Sequence, residues 1–310
     1  MKSRLVLNLV LLVLILGLAV VSYFEPGKKK EEQAPLTVVD EKNLHTITLQ
    51  NKDLITFGKQ EGHWRLSAPF KAPANEIRVQ QLMDIAKAKI EAQYPVKSED
   101  LAKFELDKPK ASITLNGSTL HFGGADPINM RRYVRVENTL FLVTDNFFHH
   151  LTASATDYVD KKLLPENAKI REISIPGLKA ILGPDGKWTQ EPKTEPAANL
   201  NDLVNAWSNA RAIDVKRLEK PAQGEPIKID LLEGQPIEWV IVQKEPDLKL
   251  ARQDLGFEYE LTGEFARQLL NMPKLEPKQE NQPTNPADGE KTDAPREEDS
   301  PAEEELEEEE

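Results

Sequence analysis

Hydrophobic positions fall into three regimes along the chain. Leu5 to Phe24 is an apolar run interrupted only by Asn8, Gly17 and Ser22, and a helix of that length, at 1.5 Å per residue, spans about 30 Å, the hydrocarbon core of a bilayer. From residue 36 to residue 273 apolar residues alternate with polar ones or recur at three-and-four spacing, the marks of strands and amphipathic helices. After that the large apolar residues are Leu275 and Leu306. Such a segment cannot offset its ordering entropy by burial, so 274–310 reads as a disordered tail. Residues 25–35, with Pro26, Gly27, three lysines and three glutamates, read as a tether.

The first run predicts an uncleaved signal anchor over residues 1–24. A cleaved signal peptide has a shorter apolar region closed by small residues, whereas this one ends Val20-Val21-Ser22-Tyr23-Phe24. Lys2 and Arg4 favour a cytoplasmic N-terminus; Lys28-Lys29-Lys30 beyond the far end nearly balance them. The short head and the absence of cysteine decide for an inner-membrane, single-pass protein with a periplasmic body, the inverse topology being the alternative.

Between tether and tail one pattern occurs twice. The strand-like Leu44–Leu49, Ile55-Thr56-Phe57 and Gly62-His63-Trp64-Arg65-Leu66 with Pro69 correspond to Ile170–Ile175, Ala180-Ile181-Leu182 and Gly186-Lys187-Trp188 with Pro192. Each set is followed by a helical stripe, Val79, Leu82, Met83, Ala86 and Ile90 in one and Leu200, Leu203, Val204, Trp207 and Ala210 in the other. Hairpins at Asn116-Gly117 and Glu233-Gly234 come next. Each copy closes on Thr plus aromatic, Thr144 to Phe147 and Thr262 to Phe265, with Thr144 and Thr262 expected as helix N-caps. The expected fold class is therefore α+β: two tandem homologous units, residues 36–165 and 166–273, each of antiparallel strands with one main helix and a short terminal helix.

Charge changes the picture in one respect. Of the formal net charge of −12, the tail from Lys274 to Glu310 holds 15 acids and four bases, so the remainder is close to neutral. No basic face suited to nucleic acid is visible in those totals. The chain has no cysteine, which excludes disulfides, thiolate nucleophiles, cysteine-ligated metals and a lipoprotein anchor.

Trp64 to Pro69, the amphipathic helix, and Phe104-Glu105-Leu106-Asp107-Lys108-Pro109 before a strand together resemble the bacterial family defined by domain of unknown function 4340. Family members often carry Gly-Leu-x-x-Pro at the last of these, where this chain has Glu105. The resemblance covers roughly residues 40 to 270. It implies an N-terminal membrane segment and an accessory role near subunits of ABC-type transporters, and it supplies no catalytic residues.

Candidate chemistry is sparse. Gly123-Gly124-Ala125-Asp126 lacks the Gly-Lys-Ser/Thr of a phosphate loop and reads as a turn. Adjacent histidines such as His149-His150 point about 100° apart on a helix, unsuited to chelation, and His45, His63 and His121 have no partner that sequence assigns. Trp64 and Trp188 read first as core. Arg135 and Arg252, in strand-like stretches of the two copies, are the candidate interaction residues: either cross-strand salt bridges or carboxylate recognition. No catalytic residue, cofactor or metal is expected. The function expected is a non-enzymatic, membrane-anchored periplasmic accessory protein that binds a protein partner in an envelope or ABC-type transport complex. The alternative is an envelope ligand-binding or hydrolytic protein with its site between the units.

Overall fold

The computed structural model describes residues 35–127, 130–193 and 199–271, with residues 6, 10–17, 19 and 20 of the N-terminal run. Those N-terminal residues are helical and exposed. No helix among the described residues is long and apolar enough to cross a membrane, so the anchor expected over Leu5–Phe24 finds no support there, most of its ends lying outside the described residues. Residues 25–34 of the tether and the tail 274–310 also lie outside them.

The strand periodicity resolves into two antiparallel sheets. The first contains β1 Thr46–Gln50, β2 Leu54–Gln60, β3 His63–Ala68, β4 Ala72–Pro73, β5 Ile90–Pro95, β6 Ala111–Leu115, β7 Ser118–Asp126, β8 Arg131–Val136 and β9 Thr139–Thr144, in the order β4-β3-β2-β1-β6-β7-β8-β9-β5. The second contains β10 Ile170–Ile175, β11 Leu178–Leu182, β12 Trp188–Glu191, β13 Asp214–Arg217, β14 Glu225–Leu231, β15 Ile237–Gln243, β16 Leu248–Arg252 and β17 Phe257–Leu261, in the order β12-β11-β10-β14-β15-β16-β17-β13. Without the two-residue β4 the two orders coincide, strand for strand. The helices are α1 Glu76–Asp84, α2 Phe148–Leu151, α3 Leu200–Asn209 and α4 Gly263–Leu269, so the class is α+β.

Alternation explains which face each sheet buries. Along β1 Ile47 and Leu49 are buried while Thr46, Thr48 and Gln50 face the other way, and β6 buries Ala111, Ile113 and Leu115. Against the first sheet pack Val79, Leu82 and Met83 of α1, Leu151 of α2, and Tyr158, whose ring meets Phe57 edge-on at 5.3 Å. The second sheet receives Leu203 and Trp207 of α3 and Leu269 of α4, and the Trp207 indole donates to the Leu269 carbonyl at 3.0 Å. The cores are continuous: Phe70 stacks edge-on against Phe257 at 4.9 Å, and backbone bridges link Ala74 to Val159 and Lys162 to Arg211.

Several local expectations need correction. Ile90 does not extend the α1 stripe. The helix gives way to a 3-10 turn at Ile85–Lys87, and Ile90 opens β5, whose pairing with β9 outweighs helical periodicity. Thr144 is the last residue of β9 and caps nothing; Asp145 Oδ1 instead accepts the Phe148 N–H at 3.2 Å. Thr262 does stand at the N-cap of α4, but its side chain makes no capping bond, and the Gly263 N–H goes to Asp247 Oδ1. Gly123-Gly124 is not a turn either. It lies within β7 at a register shift between Phe122 and Ala125.

Candidate functional site

The outer face of the first sheet, away from the core, follows from register alone. Asn116 and Gly117 both have positive φ, 47° and 84°, the two-residue turn that matches strand twist. That turn sets Thr114 opposite Thr119 and Ser112 opposite His121. Continuing through the ladders, one row reads Thr56, Thr48, Thr114, Thr119 and the next reads Leu54, Gln50, Ser112, His121, Arg135, Leu140, Tyr94. The rows are rich in hydroxyls and contain no carboxylate. The Thr114 and Thr119 hydroxyls bond each other at 2.9 Å, and Ser112 Oγ bonds His121 Nδ1 at 2.9 Å. Desolvation, and then the Arg135 charge, hold the His121 imidazole below its usual range and thus neutral near pH 7.

A crossing segment covers the neighbouring part of this face. The 3-10 helix Ser98–Phe104 ends on Glu105 in the left-handed conformation, φ 56°. Phe104 then packs on Tyr133 at 4.9 Å between ring centres. The backbone approaches β7 so closely that a Cβ on Gly123 would lie 2.2 Å from the Phe104 carbonyl oxygen. The glycine pair thus serves packing rather than phosphate binding.

The two candidate arginines do not occupy equivalent places. Arg135 pairs with Leu140 and faces outward beside His121. Its Nε is buried without an acceptor, and no carboxylate among the described residues lies within ion-pair distance. Arg252 pairs with Phe257 on the core-facing side, lies 5.1 Å from the Trp239 ring centre, and forks onto Asp254 at 2.8 and 2.7 Å. Arg252 is thus satisfied within its own hairpin, and of the two it is Arg135 that lacks a partner among the described residues.

Other singled-out residues have structural places. Trp64 is buried; Trp188 is half-buried at the edge of the second sheet and lines a cavity of about 510 Å³ with Gln190 and Asn199. His149 and His150 stack at 3.8 Å, and His150 Nδ1 meets Arg78 at 3.3 Å. His45 precedes β1, and His63 is exposed beside Glu76. No group of three or more metal-ligating side chains occurs among the described residues.

Two pairings had no signal in residue order. Arg132 is buried, with Nε on Asp145 at 2.7 Å, Nη1 on the Gly123 carbonyl at 2.7 Å and its guanidinium 3.4 Å from the Phe148 ring centre. This ties α2 to the β7 bulge. Arg131 Nε reaches Asp126 at 2.8 Å across the same hairpin.

The second sheet's outer face is different in kind. Glu172 stands opposite Asp230, with Lys179 3.0 Å from the first and Lys228 3.3 Å from the second. Lys216 lies between Asp214 and Glu260 at 3.2 and 3.1 Å. Every one of these lysines has an acid, the pattern of a solvated surface.

A family model described as Domain of unknown function (DUF4340) matches residues 64–230. No curated protein and no solved structure matches the chain.

Proposed function

We propose, from the premise that this chain belongs to the DUF4340 family, that it is a membrane-tethered, non-enzymatic interaction module of an envelope complex. The observation that carries the proposal is the contrast between the two outer faces: one a mosaic of paired charges, the other crossed by two hydroxyl-rich rows that hold no carboxylate and that include Arg135, whose Nε is buried without an acceptor. A surface meant only for water resembles the former. The apolar run Leu5–Phe24 supplies the tether in this reading, with the body periplasmic, and the family resemblance makes ABC-type transporter subunits the partner class to test first. We read the shared strand order as an internal duplication, two homologous units in tandem.

Packing argues against the alternative of a ligand or hydrolytic site between the units. Phe70, Phe257 and Arg217 fill contacts there, and the cavity at Trp188 lies elsewhere. The test has two arms. A reporter active only in the periplasm, fused after Phe24, is expected to be active. Crosslinking of the full chain in native membranes is expected to recover a transporter subunit. Activity of a cytoplasm-only reporter at the same junction would overturn the topology, and recovery of the chain without any membrane protein would overturn the partner class.

A further inference from the structure

The row Leu54, Gln50, Ser112, His121, Arg135, Leu140, Tyr94 crosses seven adjacent strands, but Leu140 is 3% exposed, so the open stretch is the five strands from Leu54 to Arg135. At about 4.8 Å between strands that stretch is roughly 19 Å long, the reach of an extended peptide of about six residues. It opens on Leu54, 52% exposed, and ends at Arg135 against the buried Leu140. Its centre is polar. Ser112 fixes the His121 ring through Nδ1, and Arg135 stands directly opposite on the next strand.

Arg135 is the informative residue. A half-buried guanidinium normally finds an acceptor, because leaving its donors unpaired forfeits hydration without return. Here no described residue accepts from it, whereas Arg131, Arg132 and Arg252 each hold a carboxylate. No acid occurs along either outer row to compete. Resting on the interaction reading above, we propose that this row is a docking site for an extended acidic peptide segment of a partner protein, one of whose carboxylates pairs with Arg135. Charge complementarity chooses that occupant. A basic segment would meet an unscreened guanidinium, and an uncharged one offers only neutral acceptors, weaker partners for it than a carboxylate. His121, neutral and oriented by Ser112, offers the ring nitrogen opposite its bonded one beside the same carboxylate.

The test is a titration of the full chain with acetyl-Leu-Glu-Leu-Glu-Leu amide, followed by the Arg135 Nε–H and His121 ring signals in nitrogen–proton NMR and by anisotropy of the labelled peptide. A saturable shift of both signals is expected. It should be absent with the glutamine counterpart and smaller at high salt. Arg135→Lys, which keeps charge but loses the fork, should weaken binding about tenfold, and Thr48→Lys, a folded control on the adjacent row, should not abolish it. If Arg135→Lys loses its dispersed spectrum, Ser112→Ala, which frees the His121 ring, serves instead and should weaken binding severalfold. Equal response to the glutamine peptide, or to acetate at matched carboxylate concentration, would overturn the proposal. With the full chain held in detergent micelles the titration needs neither a native membrane nor the partner protein, so its failure and a failure of the crosslinking experiment are separable.

Discussion

At Glu105 the backbone adopts φ 56° and ψ 33°, a region that costs a residue with a Cβ and that glycine enters freely. The position closes the 3-10 crossing segment, so a glycine there would serve a left-handed cap rather than chemistry. The Glu105 side chain recovers little, since its 2.8 Å contact with Lys110 is between two exposed groups. Glu105→Gly is therefore expected to stabilise the fold by about 0.5–1 kcal/mol, measured by equilibrium urea unfolding; a clear loss would contradict that account of the cap. Asp160 supplies a pH test. It is half-buried in the segment joining the sheets, and burial pushes its carboxyl above 3.8, opposed by the Lys162 N–H bond and by the charges of Lys162 and Arg211. A folded pKa raised above the unfolded value contributes stability below the unfolded pKa and loses it as pH rises through the folded pKa. At pH 7 the charge is thus a cost. Asp160→Asn keeps the acceptor and should equal or exceed the parent in stability at pH 7, the advantage vanishing below about pH 4; destabilisation at pH 7 would refute this.

At the scale of elements, the β7 bulge and the crossing segment form one unit. A Cβ on Gly123 would lie closest to backbone, the Phe104 carbonyl oxygen, which cannot swing away as a side chain could. Gly123→Ala should therefore displace Ser98–Phe104, cost about 1–3 kcal/mol and remove amide-exchange protection around Leu106, whose N–H bonds the Leu101 carbonyl. Unchanged protection would show that the contact is not needed. Much of this level was legible in the sequence. The strands and α3 over Leu200–Asn209 could be read from periodicity, and the Asn116-Gly117 turn, once its type is recognised, already places Ser112 against His121. What could not be read was β5 and β13. These short strands follow the main helix of each half and pair at the far edge of the sheet, with β9 and β17, so only tertiary contacts define them. The equivalence of Arg135 and Arg252 failed for a related reason. A one-residue change of register moves a side chain to the opposite face, and residue counting through loops of unequal length cannot detect it.

At the scale of the molecule, two sheets of the same strand order share a continuous core and present outer faces of opposite character. The claim that one of these faces engages a partner and the other only water can be tested directly. A photocrosslinking amino acid placed in the full chain in cells at Thr48 or Thr114 samples the first face; at Glu238 or Lys249 it samples the second, since Glu238 stands opposite Lys228 and Lys249 opposite Glu260 on the charged side. The account predicts a discrete adduct to one membrane-complex subunit from Thr48 and Thr114, reduced when Arg135 is replaced by Gln, and none from Glu238 or Lys249. Adducts from the second face alone, or no adduct from the first face in cells that make the protein at native level, would contradict it.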